Sequence, residues 1–124
     1  MTVANRAELI RGYFAAYLAN ERDAVAAVLT NDFTFTSPYD DAIDRAAYFA
    51  RCWPDRPVFR SITVERICQD KDAAFVLYRG EMLDGKTFRN TELHLFRGDR
   101  LKAVEVCFGA TYRDGVFIPQ KQST

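Results

Sequence analysis

The stretch Asn31-Asp32-Phe33-Thr34-Phe35-Thr36-Ser37-Pro38-Tyr39-Asp40-Asp41 decides how this chain is read. Phe33 and Phe35 alternate with Thr34 and Thr36, which is the period of a half-buried strand built from aromatic and β-branched residues. Pro38 has no N–H to give a ladder, so pairing ends there and leaves Ser37, Tyr39, Asp40 and Asp41 at a strand mouth. Polar residues released at the end of a buried strand are frequent carriers of binding chemistry, and they are equally the composition of an ordinary surface turn.

On the N-terminal side the spacing predicts two helices. Asn5 and Glu8 have the form of a capping box, and Leu9, Ile10, Tyr13, Phe14, Tyr17 and Leu18 recur at three- and four-residue intervals, giving one apolar, aromatic face. Asp23 is placed to cap a second, short helix whose apolar stripe is Val25, Val28 and Leu29. On the C-terminal side Asp44 is placed to cap a third helix, in which Tyr48, Phe49, Cys52 and Trp53 share a face and which Pro54 and Pro57 end. From Val58 the period changes from helical to alternating. Val58 to Cys68 reads as a strand whose alternation slips near Glu65 and Arg66, the sign of a bulge. Asp70-Lys71-Asp72 is a turn, Ala73 to Met82 a strand, and Asp84-Gly85 a hairpin signal leading into Thr87 to Arg97. Gly98-Asp99 then turns the chain into Leu101 to Phe108, and the residues after Ile118 read as a loose tail. Helices followed by hairpin-linked strands make an α+β domain with the helices on one face of a sheet.

Composition bounds the function classes. A chain of 124 residues corresponds to one domain, 1–124, and 48% hydrophobic with 14% aromatic residues is enough for a core and for the wall of a cavity. Lys plus Arg and Asp plus Glu are balanced at 17 each, so no nucleic-acid partner is expected. No apolar run approaches the roughly 20 residues of a membrane helix and the first residues lack the form of a signal peptide, so no membrane partner is expected and a cytoplasmic location is. Cys52, Cys68 and Cys107 are far apart and odd in number; they form neither a disulfide framework nor a Cys-x-x-Cys site and read as small core hydrophobes. With a single histidine, His94, no metal site is supported, and no cofactor is implied.

The strand Thr87 to Arg97 carries Phe88, Asn90, Glu92, His94 and Phe96 on one face and Thr91, Leu93 and Leu95 on the other. Either the polar row faces water over a leucine core, or the sheet is curved and the row lies at the bottom of a pocket the helices cover incompletely. In the second case Leu93 and Leu95, joined by Val76, are free to meet another subunit, and a homodimer is expected.

Taken together, helix, helix, the strand Asn31 to Pro38, helix and four hairpin-linked strands resemble the nuclear transport factor 2-like superfamily, and within it the SnoaL-like and ketosteroid isomerase-like branch. The resemblance spans nearly the whole chain. It implies a cone-shaped, curved antiparallel sheet wrapped around three N-terminal helices, an apolar pocket, and as partner a small apolar molecule. Matching Tyr13 through Pro38 to the isomerases without a gap puts Tyr13 where they keep the tyrosine of an oxyanion hole. Glu92, counted back from the Gly98 turn, falls where they keep a protonated aspartate that donates a second hydrogen bond. Their general-base aspartate, just before the proline, is replaced by Ser37, and a serine with no adjacent base does not take a carbon-bound proton at neutral pH.

Two functions follow from this resemblance. One is proton transfer on a carbonyl-type or polycyclic substrate, as an isomerase, cyclase or hydrolase. The other is a non-catalytic ligand-binding or dimeric accessory domain. For the first, Asp40, Asp41 or His94 are the stand-ins for the missing base. Asp40 and Asp41 are equally placed to precap the third helix, and His94 to be a cavity wall. Glu92 is expected to act either as a neutral donor beside Tyr13 or as an ionised partner that orients His94. Phe35, Tyr48, Trp53, Phe96 and Phe108 are expected as apolar wall with Ser37 near the mouth. Tyr17 reads as core, and Arg45 and Arg51 as solvated.

Overall fold

The computed structural model describes residues 3–119. In chain order the elements are α1 (Val3–Leu18), α2 (Arg22–Ala27), β1 (Leu29–Ser37), β2 (Asp40–Asp44) and α3 (Arg45–Cys52). They are followed by β3 (Phe59–Asp70), β4 (Ala73–Met82), β5 (Thr87–Arg97), β6 (Arg100–Arg113) and β7 (Val116–Ile118). The α+β architecture expected from the pattern is present: three helices on one curved sheet, with strand order β2-β1-β6-β5-β4-β3 and β7 added beside β6. One pairing departs from the expected antiparallel sheet. β1 runs parallel to β6, with Phe35 opposite Val104, because three successive hairpins fix the direction of β6 and β1 meets it as it comes.

Local chemistry accounts for most boundaries. The slip near Glu65 is a bulge between Val64 and Arg66, and a second register shift follows Phe59; each adds local twist and bends β3. The β4–β5 hairpin turns through Leu83-Asp84-Gly85, where Gly85 has φ +92 and the Met82 N–H reaches the Lys86 carbonyl at 2.8 Å, a loop that needs a residue at home in the left-handed region. Pro38 does end β1, yet pairing resumes at once: Ser37 faces Asp40 across a two-residue turn and the acidic loop becomes the short edge strand β2. Asp44 caps α3 as its sequence indicates, accepting the Ala47 N–H at 2.8 Å. Trp53, held extended by the following Pro54, ends the helix.

Four expectations are corrected. α1 begins at or before Val3, which puts Asn5 and Glu8 inside the helix and not at its cap. The N-cap of α2 is Glu21, so Asp23 sits in the first turn. Val76 is fully buried, because it lies opposite Glu92 on the inner face of the sheet. Cys68 and Cys107 are exposed, since both project from the outer face. The expected tail beyond Ile118 lies almost wholly outside the described residues.

The core is continuous between helices and sheet: Ile10, Tyr13 and Phe14 of α1, Val25 of α2 and Tyr48 and Phe49 of α3 pack on Phe33, Val76, Tyr78, Leu101 and Val104. Among the described residues no helix is long and apolar enough to cross a membrane.

Candidate active site: a carboxylate at the floor of an aromatic cavity

The inner row of β5 is turned into the molecule. Asn90, Glu92 and His94 are 9%, 5% and 0% exposed, which rules out the water-facing reading of that strand. The curved sheet and the helices leave a cavity of about 490 Å³. Its apolar wall comes from α1 (Tyr13, Phe14, Tyr17), β1 (Phe35), α3 (Tyr48) and the strands (Phe59, Ile62, Tyr78, Phe88, Val106). Polar groups reach it at two places, Asn90 and Glu92 on β5, and Ser37, Asp40, Arg51 and Cys52 around the β1–β2 turn and the end of α3. Tyr39 and Phe108 also line it, with ring centroids 5.6 Å apart and both rings partly exposed.

Glu92 is held by a chain of hydrogen bonds whose direction can be traced. The Gly109 N–H donates to Asn90 Oδ1 at 3.1 Å, which turns the Asn90 amide nitrogen toward the Tyr78 hydroxyl, also at 3.1 Å. Having accepted there, Tyr78 donates to Glu92 Oε2 at 2.6 Å. His94 Nε2 lies 2.8 Å from Glu92 Oε1, while His94 Nδ1 is buried without a partner. A buried N–H left unpaired is costlier than a buried lone pair, so the ring proton belongs on Nε2, donating to Glu92. Both oxygens of Glu92 therefore accept, and the group is a carboxylate compensated by two neutral donors in an aromatic setting. Burial, with the Tyr48 hydroxyl and the Glu92 charge adding to it, holds the Tyr13 hydroxyl well above the ordinary tyrosine range. Burial and Glu92 do the same for Tyr78. These phenols stay protonated and serve as donors.

The structure brings Tyr13, Glu92, Phe35, Ser37, Asp40, Tyr48 and Phe108 to one cavity. Four of the residues singled out in the sequence fall outside its lining. Asp41 is exposed on β2, so of the two acids after Pro38 it is Asp40 that faces the cavity. His94 stands behind Glu92, its ring against Tyr13 and Phe14 at 5.5 and 5.9 Å, and reaches the cavity only through the carboxylate. Phe96 is farther along the same strand, buried under the Arg6 guanidinium at 4.9 Å. Trp53 turns away as α3 ends and packs on Tyr17 and Phe49. Ser37 Oγ accepts the Tyr39 N–H at 3.1 Å, which ties it to the turn.

Tyr17, read from the sequence as core, lines the cavity. Arg51, read as solvated, forms an ion pair with Asp40 at 2.5 Å, and Arg45 donates to the Ala26 carbonyl. Tyr78 was the residue the sequence did not single out. It sits on the inward row Ala74, Val76, Tyr78 of β4, and the hairpin register that places it opposite Asn90 is the signal that finds it.

A SnoaL-like domain model matches residues 10–106. The chain belongs to this family. A search of curated proteins gives no match. Solved structures agree on the fold. The chain resembles a Kribbella flavida protein provisionally named a ketosteroid isomerase, at TM-score 0.74 and 19% identity over 95% of this chain and 84% of that one. An LEH-like epoxide hydrolase of M. tuberculosis follows at TM-score 0.70 and 19% identity, covering 85% and 83%. An NTF2-like protein of unknown function from Cytophaga hutchinsonii gives 0.69 and 18%, covering 83% and 88%. At these identities the likeness shows the fold alone.

Proposed function

We propose that this SnoaL-like protein binds a small apolar molecule in the cavity and moves a proton on it, with Glu92 as the base. The observation that carries the reading is a buried carboxylate that lines an aromatic cavity while neutral donors, Tyr78 and His94, hold both of its oxygens. A carboxylate has about four lone-pair sites, so two remain for a proton or a substrate donor. Glu92 thereby takes the function left vacant at Ser37. Tyr13, kept protonated by its burial, donates to a substrate oxygen on which charge develops. His94 and Tyr78 are positioning residues that aim the carboxylate. A carbonyl-type or polycyclic substrate suits this pair of groups, and isomerisation, cyclisation or hydrolysis each requires such a transfer; the likeness to a ketosteroid isomerase candidate and to an epoxide hydrolase supports the class and no more.

The test is α-hydrogen exchange of 2-tetralone in D₂O, followed by proton NMR. The wild type is expected to accelerate exchange over buffer, and Glu92→Gln to lose about 100-fold or more of the acceleration, the usual weight of a positioned base. A ketone that binds without accelerated exchange would establish the second reading, a non-catalytic ligand-binding or dimeric accessory domain, which the engagement of Ser37 in its turn favours. We also propose a homodimer formed through the outer sheet face.

A further inference from the structure

The second polar place in the cavity has a construction that Glu92 chemistry does not use. Asp40 opens β2 with its side chain only 8% exposed, whereas its partner Arg51, 2.5 Å away at the end of α3, is 59% exposed. The Cys52 thiol approaches the other Asp40 oxygen at 3.7 Å, and burial, with Asp40 adding to it, pushes that thiol up to about 11, so it remains an S–H donor and brings no charge. An exposed arginine ordinarily gains little from one carboxylate, because it gives up rotamer freedom and solvent screens the pair. Here the carboxylate is buried and must be compensated, so it anchors the guanidinium at the cavity wall. A guanidinium has five N–H donors, and among the described residues Arg51 has no polar partner other than Asp40.

Resting on the reading of the cavity as a small-molecule site, we infer that Arg51, held by Asp40, is a specificity residue. It accepts ligands that carry a second, uncharged hydrogen-bond acceptor at the end directed toward the β1–β2 turn. Charge decides between acceptors. The ionised groups of the lining are Glu92, Asp40 and Arg51; Asp40 neutralises Arg51, and Glu92 leaves the cavity negative. A hydroxyl, ether or carbonyl oxygen takes the Arg51 N–H without penalty, whereas a carboxylate meets repulsion from both acids. Distance sets the span. Asp40 and Glu92 lie on β2 and β5, which β1 and β6 separate, about 14 Å along the sheet at three strand spacings and less across the cavity. The ligand is therefore an elongated apolar body with an oxygen at each end.

Three rigid probes test this by calorimetry: 4-phenylphenol, 4,4′-dihydroxybiphenyl and 4′-hydroxybiphenyl-4-carboxylate. The wild type is expected to bind the diphenol about tenfold more tightly than the monophenol, the weight of one hydrogen bond to a charged donor, and more tightly than the carboxylate. Arg51→Met should bring monophenol and diphenol within twofold of each other, with the diphenol losing the larger share of its affinity. Asp40→Asn should raise the affinity for the carboxylate probe selectively. Equal binding of the two phenols by the wild type overturns the inference and leaves the cavity reading standing. Equal loss of both phenols in Arg51→Met, or tighter binding of the carboxylate by the wild type, overturns it as well. If none of the three binds, the small-molecule reading fails and takes the inference with it.

Discussion

Gly109 shows how far a single backbone position controls the site. Its N–H starts the chain that runs through Asn90 and Tyr78 to Glu92, and a Cβ added there would stand 1.9 Å from the Arg89 carbonyl oxygen. That neighbour is backbone and cannot rotate away, so β5 and β6 would have to separate locally. Gly109→Ala is expected to destabilise the protein by about 1–3 kcal/mol, the usual cost of overpacking. It should also free the Asn90 amide from its fixed orientation. Urea denaturation measures the first effect, and loss of 2-tetralone exchange at concentrations where the variant is fully folded measures the second. Full activity in the folded variant would mean that Glu92 does not depend on the chain behind it.

At the scale of elements, α3 and β1 supply the wall of the cavity around Arg51 and Asp40, and each is held by a carboxylate of ordinary type. Asp44 caps α3 through the Ala47 N–H, and the helix brings Tyr48, Arg51 and Cys52 to the cavity. Asp44→Ala should cost about 1 kcal/mol, with Asp44→Ser close to wild type, as expected of a lost and a replaced cap; thermal or urea unfolding decides. Asp32 in β1 pairs with Arg97 at the end of β5 at 2.8 Å. Hydrogen bonds from Arg97 and Thr30 lower its carboxyl from 3.8 to about 2. Because the folded value is the lower one, this contribution is complete above about 3.8 and is lost as pH falls through about 2. Acid titration of wild type and Asp32→Asn should show stability curves that are separated at neutral pH and converge near pH 2; a constant gap would place the effect elsewhere. What the sequence made legible at this scale was local: the Phe33–Phe35 alternation, the Asp44 cap, the bulge at Glu65 and the Gly85 turn all depend on neighbours within a few residues. β2 was not legible, because Asp40 to Asp44 carries one large apolar residue, Ile43, beside the small Ala42, and an edge strand facing water needs no more. The parallel pairing of β1 with β6 joins residues some seventy positions apart in the chain, and no local pattern encodes it. The site divided in the same way. The inward row of β5 could be read by period, whereas Tyr78 and the Asp40–Arg51 pair required the register and the packing of separate elements.

For the whole molecule, the two faces of the sheet have opposite fates. The inner face is covered by helices and encloses the cavity, and the outer face has no covering element among the described residues. On it Phe75 is 54% exposed and lies opposite Leu93, with Leu95 beside Ala73 and Ala103 in the next register positions. Val76, first grouped with these leucines, belongs to the other face because side chains alternate along a strand, and Phe75 takes its place. A contiguous apolar patch on a sheet face marks a contact surface. A second copy is the occupant proposed here, since one patch can meet itself about a twofold axis without any further partner. The paired variant Phe75→Glu/Leu93→Glu puts two carboxylates at the centre of such an interface and four across the axis. It is expected to sediment as a monomer at micromolar concentration where the wild type sediments as a dimer. Both substituted positions point away from the cavity, so binding of 4-phenylphenol should be unchanged in the monomer. A wild type that is already monomeric at that concentration would remove the dimer, and a dimer that survives both charges would place its interface on a different surface.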